Sequence, residues 1–176
     1  MSFRVRVNPY NQLETLAWYH LQAAQAKVGV AEHRGIALDC MSCLIALAFS
    51  VEALVNFVGH KKIADWKERA PFSTKLKLLE ASFSLSLDRL AEPYLTIKRL
   101  KEARDKMAHG QPLDFTLNSE DKSELARAMQ SPWSESTNVE FLAHAYEQIQ
   151  VFKRTLLSKA RIKPGATYTT AIGGAQ

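Results

Sequence analysis

The stretch IALDCMSCLIALAFSVEALVNFV, residues 36–58, decides the fold. It carries only two charges, Asp39 and Glu52, in 23 residues. A helix that is apolar nearly all round has to be buried on every side, inside a protein or inside a bilayer. This run is long enough to cross a bilayer. The two acids argue against it, because one carboxylate near a membrane centre costs about 2.5–3.5 kcal/mol even on the lenient insertion scale. The stretch therefore reads as the central helix of a bundle, with no membrane among the expected partners.

Helices extend on both sides of it. Upstream, Asn8 and Pro9 form an N-cap followed by proline at the first helical position. That predicts a helix from Pro9 toward His33, with a buried seam at Tyr10, Leu13, Ala17, Leu21, Ala24 and Val28, stopped by Gly35. Before it, residues 3–7 (FRVRV) alternate as a short strand or arm would. The segment MSFRVRVNPY has no apolar core of the signal-peptide kind, so a cytoplasmic location is expected.

Downstream, Gly59 is expected to end the central helix. Pro71 breaks the next segment, Ser73 or Thr74 offers a cap, and Leu76, Leu79 and Phe83 form an apolar face. A helix is predicted from Asp88 to His109, with Pro93 early in it and Gly110 and Pro112 closing it. Asn118 or Ser119 is placed to cap a short helix from Glu120 to about Met129. Thr137 and Glu140 have the spacing of a capping box for a last helix, whose seam is Leu142, Ala145, Ile149, Phe152 and Leu156. Residues 163–176 are small, polar and glycine-bearing, and predict a flexible C-terminal tail. The sum is one all-α domain over residues 1–162, a helical bundle of four to five main helices.

Composition narrows the function classes. A chain of 176 residues with 47% hydrophobic and 23% charged residues can bury a core without staples. A net charge of +5 permits a nucleic-acid partner without requiring one. The two cysteines, Cys40 and Cys43, supply half of a four-ligand zinc site, and no second pair completes it. They read as small core residues of the central helix. His20, His33, His60 and His144 are scattered without ligand spacing, and the phosphate-loop, dinucleotide, H-E-x-x-H and G-x-S-x-G signatures are missing. No metal and no cofactor are expected.

Three residues break the hydrophobic pattern. A seam laid along Pro93, Ile97, Leu100, position 104 and Met107 puts Arg104 where an apolar residue belongs. A guanidinium there either carries its head to water along its aliphatic stem or meets a carboxylate or phosphate. Glu52 and Asn56 make one polar line on the central helix, and Arg104 is the candidate partner for Glu52. His109 lies five residues past Arg104, about 140° round an ideal helix and roughly 7.5 Å along it, so the two do not share a face. Asp105, four residues before His109, does share one and is placed to orient the imidazole. A basic residue in a last helical turn also suits the helix dipole with no chemistry at all. The run KRLKEARDK, residues 98–106, has a net charge of +3, as a phosphate-facing surface or a solvated face would.

The motif R-x-x-x-x-H, here Arg104 to His109 in RDKMAHG, resembles that of the HEPN superfamily. LAFSVEALVNFVG resembles the apolar second helix of bacterial members, and WKERAPFSTKLKLLE the segment after it. The likeness covers about residues 40–112. It implies a HEPN-like bundle of four or five helices and a metal-independent endoribonuclease. It implies a homodimer in which two motifs face each other across one composite site. His109 would act as general base or acid around the ribose 2′-hydroxyl and the leaving oxygen, and Arg104 would stabilise the charged transition state. The product would be a 2′,3′-cyclic phosphate. Lys98, Arg99, Lys101 and Lys106 would attract the RNA, with Asp105, Glu52 and Asn56 in support. A toxin or defence role, with a nucleotidyltransferase-like antitoxin as partner, is implied for some members. Others are non-catalytic modules that bind RNA or protein. The residue after the arginine is most often Asn in active members, and here it is Asp105, an extra negative charge beside the phosphate site.

Overall fold

The computed structural model describes residues 2–31, 34–112, 114, 116–118 and 121–174. Helix α2 (Ile36–Lys62) runs through the centre, and α1 (Pro9–Gly29), α3 (Phe72–Phe83), α4 (Tyr94–Ala108) and α6 (Val139–Lys159) all pack against it. A short α5 (Lys122–Ala128) precedes α6, and strands β1 (Ser2–Arg6) and β2 (Thr170–Gly174) join the two ends of the chain. The protein is an all-α helical bundle with one small ribbon.

Hydrophobic burial on α2 organises the core. Leu44, Leu47, Leu54, Val55 and Val58 are fully buried, each contributing about 1.5–3 kcal/mol relative to exposure. Cys40 and Cys43 are buried among them, and burial pushes the Cys43 thiol up to about 12, far from a reactive thiolate. Tyr10, Ala17, Leu21 and Ala24 of α1 are buried as the seam predicts, whereas Val28 is exposed. The helix is shorter than expected, ending at Gly29, and His33 lies outside the described residues. Every residue of the α6 seam is fully buried.

Several predicted ends and caps move, each for a local reason. Asn8 is at the N-cap of α1 but makes no capping bond. Its amide donates instead to the carbonyls of Tyr168 (2.9 Å) and Ala166 (3.4 Å). Gly59 does not end α2, which continues to Lys62. It is glycine because the Trp66 ring lies where its Cβ would be. α3 starts at Phe72, ahead of Ser73 and Thr74. α4 starts at Tyr94 rather than Asp88, and the Glu92 carboxylate accepts from the Thr96 N–H (3.1 Å) and hydroxyl (2.9 Å). Asp121 caps α5, and Ser119 and Glu120 lie outside the described residues. Asn138 caps α6, accepting from the Phe141 N–H at 2.8 Å. Thr137 donates its hydroxyl to the Ser134 carbonyl instead.

The C-terminal segment departs most from expectation. Residues 164–167 form a 3-10 turn, and β2 pairs antiparallel with β1 from Ser2↔Gly174 to Arg6↔Thr170. The backbone of Asn8 also donates to the Thr169 hydroxyl at 3.1 Å. Partners at the far end of the chain supply this strand, which is why local composition did not reveal it.

An ion-pair clasp joins α1 to the first turn of α2. Lys27 Nζ lies 2.6 Å and His20 Nδ1 3.0 Å from the Asp39 carboxylate. Hydrogen bonds from Lys27 and then His20 hold its pKa below the ordinary carboxylate range. With a depressed folded-state pKa, the clasp stabilises the fold above the unfolded-state value and is lost as pH falls through the folded-state value. Asp39→Ala is expected to cost about 1 kcal/mol at neutral pH. The deficit should vanish in acid, once Asp39 of the wild type is protonated. Urea denaturation across the acid range tests this, and a deficit that does not change with pH would refute it.

Candidate functional site

The motif helix α4 buries Thr96, Ile97, Leu100 and Ala103. Arg104 sits at the edge of that face, its side chain 19% exposed. Its guanidinium does not simply run out to water. Nη2 lies 3.9 Å from Glu52 Oε2, and Nε lies 2.9 Å from Asp105 Oδ1. The Nε contact is one of charge rather than a directed bond, since that nitrogen is buried with no hydrogen-bond partner among the described residues. Arg104 Cζ also lies 5.1 Å from the centre of the Phe49 ring, a cation–π contact.

Glu52 does pair with Arg104, as expected, but its shorter contact is elsewhere. Lys75 Nζ of α3 donates to Glu52 Oε1 at 3.0 Å, and the Lys75 side chain is 1% exposed. One carboxylate on the central helix thus lies between a fully buried ammonium and the motif guanidinium. Asn56 is one turn further along and is not part of this cluster. Its Oδ1 accepts from Trp66 Nε1 at 3.3 Å.

Asp105 does not orient His109 through a hydrogen bond. Its carboxylate accepts from Lys101 Nζ at 2.6 Å and faces Arg104. Burial raises its pKa, but the Lys101 hydrogen bond and the charges of Arg104, Lys101 and His109 outweigh that, and the net shift is downward. It is therefore ionised at neutral pH, and its carboxylate is engaged by Lys101 rather than by the His109 ring. His109 is the C-cap residue of α4, its N–H bonded to the Asp105 carbonyl at 3.0 Å and its side chain exposed. The small cleft lined by Arg104, Glu52, Phe72 and Lys101 does not include His109.

The four basic residues assigned to RNA divide by environment. Lys98 is exposed, 3.8 Å from Glu102. Lys101 is held by Asp105. Arg99 is engaged in the fold, since Nε donates to the Ser136 hydroxyl (3.1 Å), Nη2 to the Glu135 carbonyl (2.6 Å), and the guanidinium stacks 4.1 Å from the Phe141 ring. These contacts hold the guanidinium in place, while the residue itself stays exposed. Lys106 is exposed, with no ion-pair partner among the described residues.

Sequence reasoning missed Lys75 and Phe49. Lys75 is buried beside Leu76 and four residues before the buried Leu79, so a lysine on an apolar seam was the signal. Phe49, 41% exposed, lay unnoticed within an apolar run. Comparison with known proteins adds no homologue: no family model, no curated protein and no solved structure matches this chain.

Removing the Glu52 carboxylate strands a buried ammonium. Breaking one side of a buried pair costs about 3–5 kcal/mol, and less here because Glu52 is one-third exposed, so about 2–3 kcal/mol is expected for Glu52→Ala. Adding Lys75→Met should restore most of it, since no buried ammonium is then left unpaired and Arg104 keeps Asp105. Urea unfolding of the single and double variants measures both. A Glu52→Ala midpoint equal to the wild type would mean that the carboxylate holds nothing.

Proposed function

We propose that this protein is a cytoplasmic, metal-independent endoribonuclease of HEPN type that acts as a homodimer. The observation that carries this is the contrast between the two motif residues. Arg104 is a nearly buried cation set by Glu52, Asp105 and Phe49, while His109 is an exposed imidazole at the end of the same helix. A fixed cation and an accessible proton carrier are what phosphodiester cleavage by the 2′-hydroxyl requires. The 2′-oxygen attacks the adjacent phosphorus, the bond to the 5′-oxygen breaks, and a 2′,3′-cyclic phosphate and a 5′-hydroxyl result. One proton leaves the 2′-hydroxyl and one reaches the 5′-oxygen; His109 carries one of these transfers and water the other, and Arg104 balances charge on the phosphorane.

The separation of the two residues within one chain supports the dimer. A two-fold axis beside α4 supplies each half-site with groups from the other copy. Phe49, beside Arg104 and 41% exposed, gives such an interface an apolar anchor. A toxin or defence role, with a nucleotidyltransferase-like antitoxin, extends the same reading.

One feature favours a second reading, a non-catalytic RNA- or protein-binding module. The ionised Asp105 occupies a side of the guanidinium that a phosphate would otherwise take.

Purified protein incubated with total RNA and tRNA in EDTA should leave cyclic phosphate ends. His109→Ala and Arg104→Ala should each lose at least about 100-fold in rate. Equal RNA decay with wild type and His109→Ala would end the ribonuclease reading. Phe49→Glu should convert a dimer to a monomer in sedimentation equilibrium and abolish cleavage. A monomeric wild type that still cleaves would remove the composite site.

A further inference from the structure

A groove on the far half of α2 is not accounted for by the motif. It has a volume of about 520 Å³, within the usual range for small-molecule sites. The N-terminal arm, residues 6–10, forms one wall, and the last turns of α2 with Glu68 form the other. Both walls are fastened. Asn8 ties the arm to the carbonyls of residues 166 and 168, and Trp66 packs on Gly59 while donating to Asn56.

The chemistry of the lining points to an anion joined to a flat ring. Phe57 provides aromatic surface, while Tyr10, which also borders the groove, is buried. Arg6 and Lys61 bring cations, and neither is ion-paired among the described residues. The acid of the groove, Glu68, lies 3.2 Å from His60 Nε2 and is engaged there. Lys61 Nζ rests 5.6 Å from the Phe57 ring centre, on a long exposed stem. It can release the ring face to a stacking base while its ammonium reaches the phosphate. The Oδ1 of Asn56 is taken by Trp66, which leaves the Nδ2 amide as a donor on this side.

The groove also connects to the motif through one helix face. Glu52, Asn56 and His60 are spaced by four residues, so they fall on one side of α2 and span about 12 Å. Glu52 touches Arg104 at one end, and His60 lies in the groove at the other.

We infer that this groove binds a nucleotide of single-stranded RNA flanking the site of cleavage, its base on Phe57 and its phosphate between Arg6 and Lys61. The choice of RNA rests on the ribonuclease reading, whereas the anion-and-ring chemistry rests on the groove alone. The test is direct binding, separate from cleavage. A fluorescein-labelled 12-nucleotide RNA, 2′-O-methylated throughout so that it cannot be cut, is titrated with the full chain by anisotropy. Arg6→Glu/Lys61→Glu is compared with wild type, and with the charge-matched Arg154→Glu/Lys159→Glu on exposed positions of α6. All four positions are exposed, and circular dichroism verifies folding.

The groove variant should bind at least tenfold more weakly than the α6 variant. Its affinity should also fall less steeply with salt, the slope of log K against log salt decreasing by roughly 0.7 for each phosphate that the groove no longer neutralises. Equal affinities for the two variants, or no binding by wild type, would overturn the inference. RNA that binds through the groove but is never cleaved would leave the inference standing and end the ribonuclease reading. Cleavable RNA whose affinity ignores the groove would do the reverse.

Discussion

The need to bury α2 governs the rest of the molecule. A helix this apolar leaves water only if neighbours cover it on most sides, and four helices do so. The few polar groups that α2 carries inward then have to be met by what surrounds it. Asp39 is met by α1, Glu52 by α3 and α4, and Asn56 by the indole of Trp66. The polar residues of the central helix therefore act as locators, since each one fixes a specific partner against an otherwise non-directional apolar surface.

Where the hydrophobic period is regular, the sequence was readable. The α6 seam and most of the α1 seam follow from three-and-four spacing, and so does the all-α class. Helix ends were less readable because caps compete. Asn8 and Thr137 are good capping types, yet each spends its hydrogen bonds on a tertiary or turn partner. The terminal ribbon was half legible: the alternation of residues 3–7 marks β1, but β2 was missed, because its pairing joins residues more than 160 positions apart.

The candidate site was legible as a set of anomalies rather than as a geometry. Arg104 and Glu52 stood out as charges on apolar seams, and they do meet. Lys75 is the same kind of anomaly on α3, masked by the lysines around it. Arg99 shows the opposite failure. Its place in a basic run suggested solvent, and it is exposed, but the run did not reveal that Phe141 and the Ser134–Ser136 turn, distant in sequence, hold it.

Gly59 makes the architecture sensitive at a point that touches no ligand surface. The Trp66 indole sits directly on its backbone, and from there reaches Asn56. A single methyl group at this position would lift the indole, and with it the segment between α2 and α3. The shape of the groove is thus governed from behind by a residue that contributes no atom to its wall. Variation at position 59 would retune the groove while every residue facing it stayed the same.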